Sequence, residues 1–201
     1  MADKSFQPVK PANVKIFDYI TAAIMLVLGI GITQLLSDVV DAFRSRQSYR
    51  LHWIPITWAA LVFAWQMQFL WAVYELKMLQ TSWHEVEFLI LLLLAMLLFV
   101  AGSLVVPRAG DESDNALEQF RADGRWTLVV LAAYFFIGYV ANVLLFNLHW
   151  LDPVNLQDPV LGLYLLIVVF RTKTQTWAIA TIIFAIVSVF SIISLSPTRY
   201  G

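Results

Sequence analysis

The residues with the most capacity for chemistry lie inside or beside long apolar runs. Gln34, Asp38 and Asp41 follow Gly31 at steps of 3, 4 and 3, which sets all four on one helical face. Thr57, Ala64, Gln68, Trp71 and Glu75 share a second face, with Gln66 pointing elsewhere. Tyr134, Gly138 and Asn142 follow one another at steps of four. An amide or carboxylate surrounded by apolar neighbours needs a partner, because leaving it unpaired away from water costs free energy. Gln34, Asp38, Gln68 and Asn142 are therefore expected to form a polar intramembrane cluster, with Gln34, Gln68 and Asn142 meeting between the first, second and fourth runs. Two outcomes are open. The side chains satisfy each other as interhelical hydrogen bonds, or they line a narrow wet path.

A second set is acidic and histidine-bearing. Asp18, Glu75, His84, Glu85, Glu87, His149, Asp152 and Asp158 all fall at one end of the expected bundle. Imidazoles and carboxylates can hold zinc or a similar ion. His84-Glu85-Val86-Glu87 lacks the second histidine four residues on that a zinc-protease helix requires. The set is read as a solvated acidic rim, with His84, Glu85, Glu87 and His149 its candidate ligands and no metal or cofactor expected. Ser188, Ser191 and Ser194 form a stripe at steps of three, read as packing. No nucleophile–base pair and no phosphate loop followed by Lys-Ser or Lys-Thr is recognisable, so an enzyme is not expected. The lack of cysteine excludes thiol catalysis and disulfides.

The elements that must position these groups are six apolar runs, at about 16–39, 54–74, 88–106, 126–146, 160–170 and 177–195. Crossing a hydrocarbon layer takes roughly 20 helical residues. Five runs reach that length. The fifth, bounded by Asp158-Pro159 and Arg171, is short. Only 13% of residues are charged, about half the usual share of a soluble chain. The fold expected is an all-α integral membrane protein, one domain over residues 1–201, built as a bundle of six transmembrane helices. The first run continues into polar sequence without a cleavage site, so it is expected to be retained as a span.

Charge sets the orientation. Arg44, Arg46, Arg50, Arg108, Arg121, Arg125, Arg171 and Lys173 fall on one side; of the loops between spans, the other side offers only Lys77. Positive residues favour the cytoplasm. Loops 40–53, 107–125 and 171–176 are therefore expected there, with Lys4, Lys10, Lys15 and Arg199 on the opposite side. The loop 107–125 reads as a solvated connector, with a short helix capped by Ser113 or Asp114 and running to Phe120. Trp53, Trp83, Trp126, Trp150 and Trp177 fall at run ends as an interfacial belt, while Trp58, Trp65 and Trp71 are expected to pack inside. The near-neutral charge of −1 provides no basic footprint for nucleic acid. Lipids are the expected partners, with a second copy or another membrane protein left open.

Gly29-Ile-Gly31-Ile-Thr-Gln34-Leu-Leu-Ser-Asp38, then Arg44-Ser-Arg46, His52-Trp53 and Gln66-Met-Gln68-Phe69, resembles a family of small uncharacterised multi-span inner-membrane proteins of bacteria. The resemblance covers the first 75 or so residues. It implies a bacterial inner-membrane helical bundle and supplies no activity. Two function classes follow from the whole reading: a small transporter or channel with a polar intramembrane pathway, or a non-catalytic sensor, assembly or accessory subunit.

Overall fold

The computed structural model describes residues 11–45, 52–79, 84–106, 116–146, 148–171 and 173–195, and these are helical throughout apart from their short connections. The helices are α1 (Pro11–Arg44), α2 (Trp53–Leu79), α3 (Glu85–Val105), the single turn α4 (Ala116–Gln119), α5 (Arg125–Phe146), α6 (Pro153–Val169) and α7 (Thr174–Leu195). Five stretches are long and apolar enough to cross a membrane: Asp18–Arg44, Trp53–Leu76, Glu85–Val105, Leu117–Phe146 and Thr174–Ile193. Trp83, Ser113, Asp114, Arg46, Arg50 and Arg108 lie outside the described residues, as does the Ser194 side chain.

The short helix starts earlier than expected. Asp152 caps α6, its Oδ1 accepting from the Val154 amide at 2.9 Å, and Pro153 follows at the first helical position. That is where proline costs nothing, because its missing N–H would be unpaired anyway. Pro159 therefore lies inside the helix, not at its start. With 17 residues α6 is about 25 Å long. It runs antiparallel to α5: Asp158 meets Asn142, and four residues on Gly162 meets Ala132 and Phe136. A Cβ on Gly162 would sit 3.2 Å from the Ala132 carbonyl, a tight contact that the glycine spares the two packed backbones.

α2 and α7 run parallel. The indole of Trp58 donates to Thr181 Oγ1 at 3.0 Å, and that of Trp65 to Ser188 Oγ at 3.2 Å. Both pairs repeat after seven residues, the spacing at which two parallel helices return the same faces to each other. Ser191 accepts from the Gln157 amide of α6. Ser188 and Ser191 thus bond across to neighbouring helices. α1 lies against α2 and α3 through Ile24, Leu28 and Leu35.

Two expectations at the other end fail. The described part of the 107–125 connector is not fully solvated: α4 and a π-helical turn, Phe120–Gly124, lead straight into α5, and Leu117, Gln119 and Phe120 are buried while Glu118, Ala122 and Asp123 are exposed. Phe120 meets Trp177 edge-on at 5.8 Å. Trp177 is accordingly buried too, and donates to the Arg171 carbonyl at 2.8 Å. Hydrophobic area drives both inward, and an amphipathic indole suits either setting. Trp53, Trp126 and Trp150 are exposed; so is Trp71, which meets the exposed Tyr74 edge-on at 6.1 Å.

Candidate functional site

A cavity of about 370 Å³ lies between α2, α3, α5 and the start of α6. It extends from Trp65 and Tyr134, midway along their helices, to Glu75, Leu148 and Val154 at the bundle end. Its wall is aromatic and aliphatic: Phe69, Leu76, Leu91, Leu94 and Phe146 belong to it. Besides the Tyr134 phenol, four polar side chains break that wall, Gln68 and Glu75 from α2, Asn142 from α5 and Asp158 from α6.

Asn142 Nδ2 donates to Asp158 Oδ2 at 2.8 Å. The carboxylate lies against the α5 backbone, since a Cβ on Gly138 would be 3.6 Å from the same oxygen. The step-of-four stripe Tyr134, Gly138 and Asn142 therefore faces one side chain, Asp158. Gly138 lies beside it and Asn142 supplies the hydrogen bond. The cavity floor is a ring cluster: Tyr134 meets Trp65 at 6.4 Å and Phe69 at 6.2 Å, and Phe135 meets Trp65 at 4.8 Å. Chemically this is a carboxylate with one amide donor, set in a mainly apolar and aromatic chamber. Such a group is an acceptor and a counter-ion. Aromatic faces nearby add attraction for a cation.

Of the expected trio, Gln68 and Asn142 line this cavity and Gln34 does not. Gln34 sits in an outward trough of α1 with Met25, Gly29, Thr33, Ser37 and Asp38. α1 packs on α2 and α3, so it stands away from α5. The reason is angular. A three-residue step turns a helix about 60° short of a full circle, so a stripe built on such steps drifts off the core face. Gly31 is buried beside Phe99, whereas Gln34 has rotated to the edge of that face and is half-buried. Asp41 and Arg44 form an exposed ion pair at 3.7 Å at the α1 end.

Gln66, set apart from the expected cluster, is the glutamine that the helices bury. It is fully buried where α1, α2 and α3 meet, and its Nε2 donates to the Leu98 carbonyl at 3.1 Å. Its Oε1 has no hydrogen-bond partner among the described residues. Gly31 and Gly102 admit it: a Cβ on Gly102 would lie 3.1 Å from Gln66 Nε2.

In the acidic rim His84, Glu85 and His149 are exposed, and others have separate jobs. Asp158 and Glu75 face the cavity, and Asp152 caps α6. Glu87 caps α3, its Oε2 accepting from the His84 amide at 3.0 Å, with His84 Nδ1 3.5 Å from Oε1. Glu85 is exposed, and His149 Nδ1 accepts from the Leu151 amide at 3.4 Å. Among the described residues no three His, Asp or Glu side chains are grouped to hold a metal. At the opposite end His52 Nδ1 accepts from the Ile54 amide at 3.2 Å, and burial lowers its pKa from 6.5.

Asp158 is the cavity residue that the rim assignment misplaced. Its signal was present: Asp152-Pro153 is a helix start, and counting from there puts Asp158 one and a half turns inside α6. No family model, curated protein or solved structure matches this chain.

Proposed function

We propose that the chain is a six-span integral membrane protein, with α6 as its short span, and that it carries a small, partly apolar cation bound at Asp158. One observation carries this reading: the Asp158 carboxylate, hydrogen-bonded to Asn142, projects into an otherwise largely apolar cavity of about 370 Å³. That volume is within the range of small-molecule sites, which pair an apolar wall with a few polar groups. An ionisable side chain in a membrane span is costly and therefore points to a solute or ion path. Membrane embedding is supported by the outward apolar surface, which includes Leu26, Ile30, Leu144, Leu163, Ile186 and Phe190. The compartment we assign is a bacterial inner membrane, with loops 40–53, 107–125 and 171–176 in the cytoplasm. The role is non-catalytic.

The test uses detergent-purified protein and benzyltrimethylammonium as probe. Saturable binding is expected, and Asp158→Asn should weaken it about tenfold or more, which is what losing one desolvated charge pair supplies. Asp152→Asn, at the cap, should leave it unchanged. Uptake of the probe into proteoliposomes should fall in parallel with binding. Absence of saturable binding, or equal binding by Asp158→Asn, rejects the reading.

The trough on α1 favours a second reading, an assembly subunit. Thr33 and Ser37 are exposed in it, with Gln34 half-buried beside them, and polar groups facing acyl chains would be costly. A second copy docking there would cover them. A cysteine at Ser37 should then cross-link two chains in membranes, while one at Ile186 should not.

A further inference from the structure

At the bundle end away from the Asp158 cavity, a pocket of about 750 Å³ opens between the π turn, the start of α5, the end of α6 and the start of α7. Three arginines from three elements line it: Arg121, Arg125 and Arg171. Arg121 is fixed by donating from Nη1 to Thr174 Oγ1 at 3.2 Å. The Arg125 guanidinium lies 5.7 Å from the Trp126 ring centre. Arg171 is held through its backbone, whose carbonyl accepts the buried Trp177 indole at 2.8 Å. Glu118 is the one carboxylate in the lining, and among the described residues no ion pair joins it or any other acid to the three arginines. Below the guanidinium groups the wall turns apolar, through Val129, Leu166 and Val169.

We propose that this pocket binds the phosphate headgroup of an anionic phospholipid, with an acyl chain lying along that apolar wall. Guanidinium groups match phosphate oxygens through paired N–H donors, and three of them leave a net positive pocket after Glu118 is counted. A free phosphate would satisfy the arginines but leave the apolar wall wet. A lipid satisfies both, and basic pockets between spans on the cytoplasmic side suit anionic headgroups. Exposed Trp126 and Phe170 beside the pocket fit the interfacial depth that a headgroup needs. The proposal rests on the membrane reading above and not on the Asp158 site.

Native mass spectrometry of the detergent-purified full chain tests it, titrating dioleoylphosphatidylglycerol, dioleoylphosphatidylcholine and inorganic phosphate. The anionic lipid should bind at least about tenfold tighter than the zwitterionic one. Each of Arg121→Gln, Arg125→Gln and Arg171→Gln should weaken it about fivefold, the equivalent of about 1 kcal/mol per basic side chain at an anionic surface. Arg44→Gln, outside the pocket, should change nothing. Millimolar phosphate should not displace the lipid. Equal binding of the two lipids, single variants that bind as well as the parent, or displacement by phosphate alone would each overturn the proposal. A chain that stays monodisperse in water without detergent would instead defeat the membrane reading.

Discussion

The Trp65 indole of α2 donates to the Ser188 hydroxyl of α7 at 3.2 Å, bridging helices that are 123 positions apart in the chain. Both side chains are buried, and Trp58 and Thr181 repeat the contact one heptad earlier. Ser188→Ala leaves a buried indole N–H without its acceptor. The expected loss is about 1 kcal/mol, since interhelical hydrogen bonds between spans average about 0.6 and reach about 1.7. Reversible unfolding in mixed micelles measures it. A double-mutant cycle with Trp65→Phe should return a coupling of the same size, and zero coupling would show that the contact contributes nothing.

Gly102 and Gln66 should behave as one unit. A methyl on Gly102 lands 3.1 Å from Gln66 Nε2, so Gly102→Ala is expected to cost about 1–3 kcal/mol by overpacking. In a Gln66→Ala background that clash is gone and most of the penalty should vanish. Gln66→Leu alone should be close to neutral, because it removes the unsatisfied Oε1 along with the one hydrogen bond. If Gly102→Ala costs the same in both backgrounds, Gln66 is not what the glycine accommodates.

The parts of the site visible beforehand were those written at steps of four. Tyr134, Gly138 and Asn142 share a face for purely helical reasons, and one side chain from α6 meets that face. Gln34 was misjudged because a stripe with three-residue steps rotates away from the core, and no local signal says that α3 covers α1. Asp158 looked like a boundary residue because the proline after it usually marks one. The stronger cap six residues earlier decides the matter, since a proline inside a helix costs only one N–H and some crowding when neighbouring helices hold it. Phe120 and Trp177 show a different limit. Apolar residues at a span end satisfy an interfacial and a buried reading equally well, and only the tertiary contact between them chooses.

His52 should make stability depend on pH. Its Nδ1 accepts from the Ile54 amide, which only the unprotonated nitrogen can do, and burial lowers its pKa from 6.5. The neutral form is therefore favoured in the folded state. Its stabilising contribution is complete above 6.5, where both states are neutral. As pH falls below 6.5 the unfolded chain takes up the proton first, and stability declines until the folded-state pKa is passed. His52→Ala should lower stability by about 1 kcal/mol near neutral pH, as losing a helix cap does. It should also flatten the decline below pH 6.5. An unchanged slope in the variant would assign it to another group.

The absence of native cysteine makes the orientation directly measurable. Leu151 is 72% exposed in the α5–α6 connection, and Gln175 is exposed at the start of α7. α6 runs between these two points, so they report opposite sides if it crosses the membrane. The arginine-rich loops argue that the Gln175 side is cytoplasmic. Leu151→Cys should therefore react with a membrane-impermeant maleimide in intact cells, and Gln175→Cys only after permeabilisation. The reverse pattern would invert the protein and leave the fold untouched. Labelling of both in intact cells would mean that α6 turns back within the bundle, so that the chain has five spans and the Asp158 cavity is bounded by a re-entrant helix.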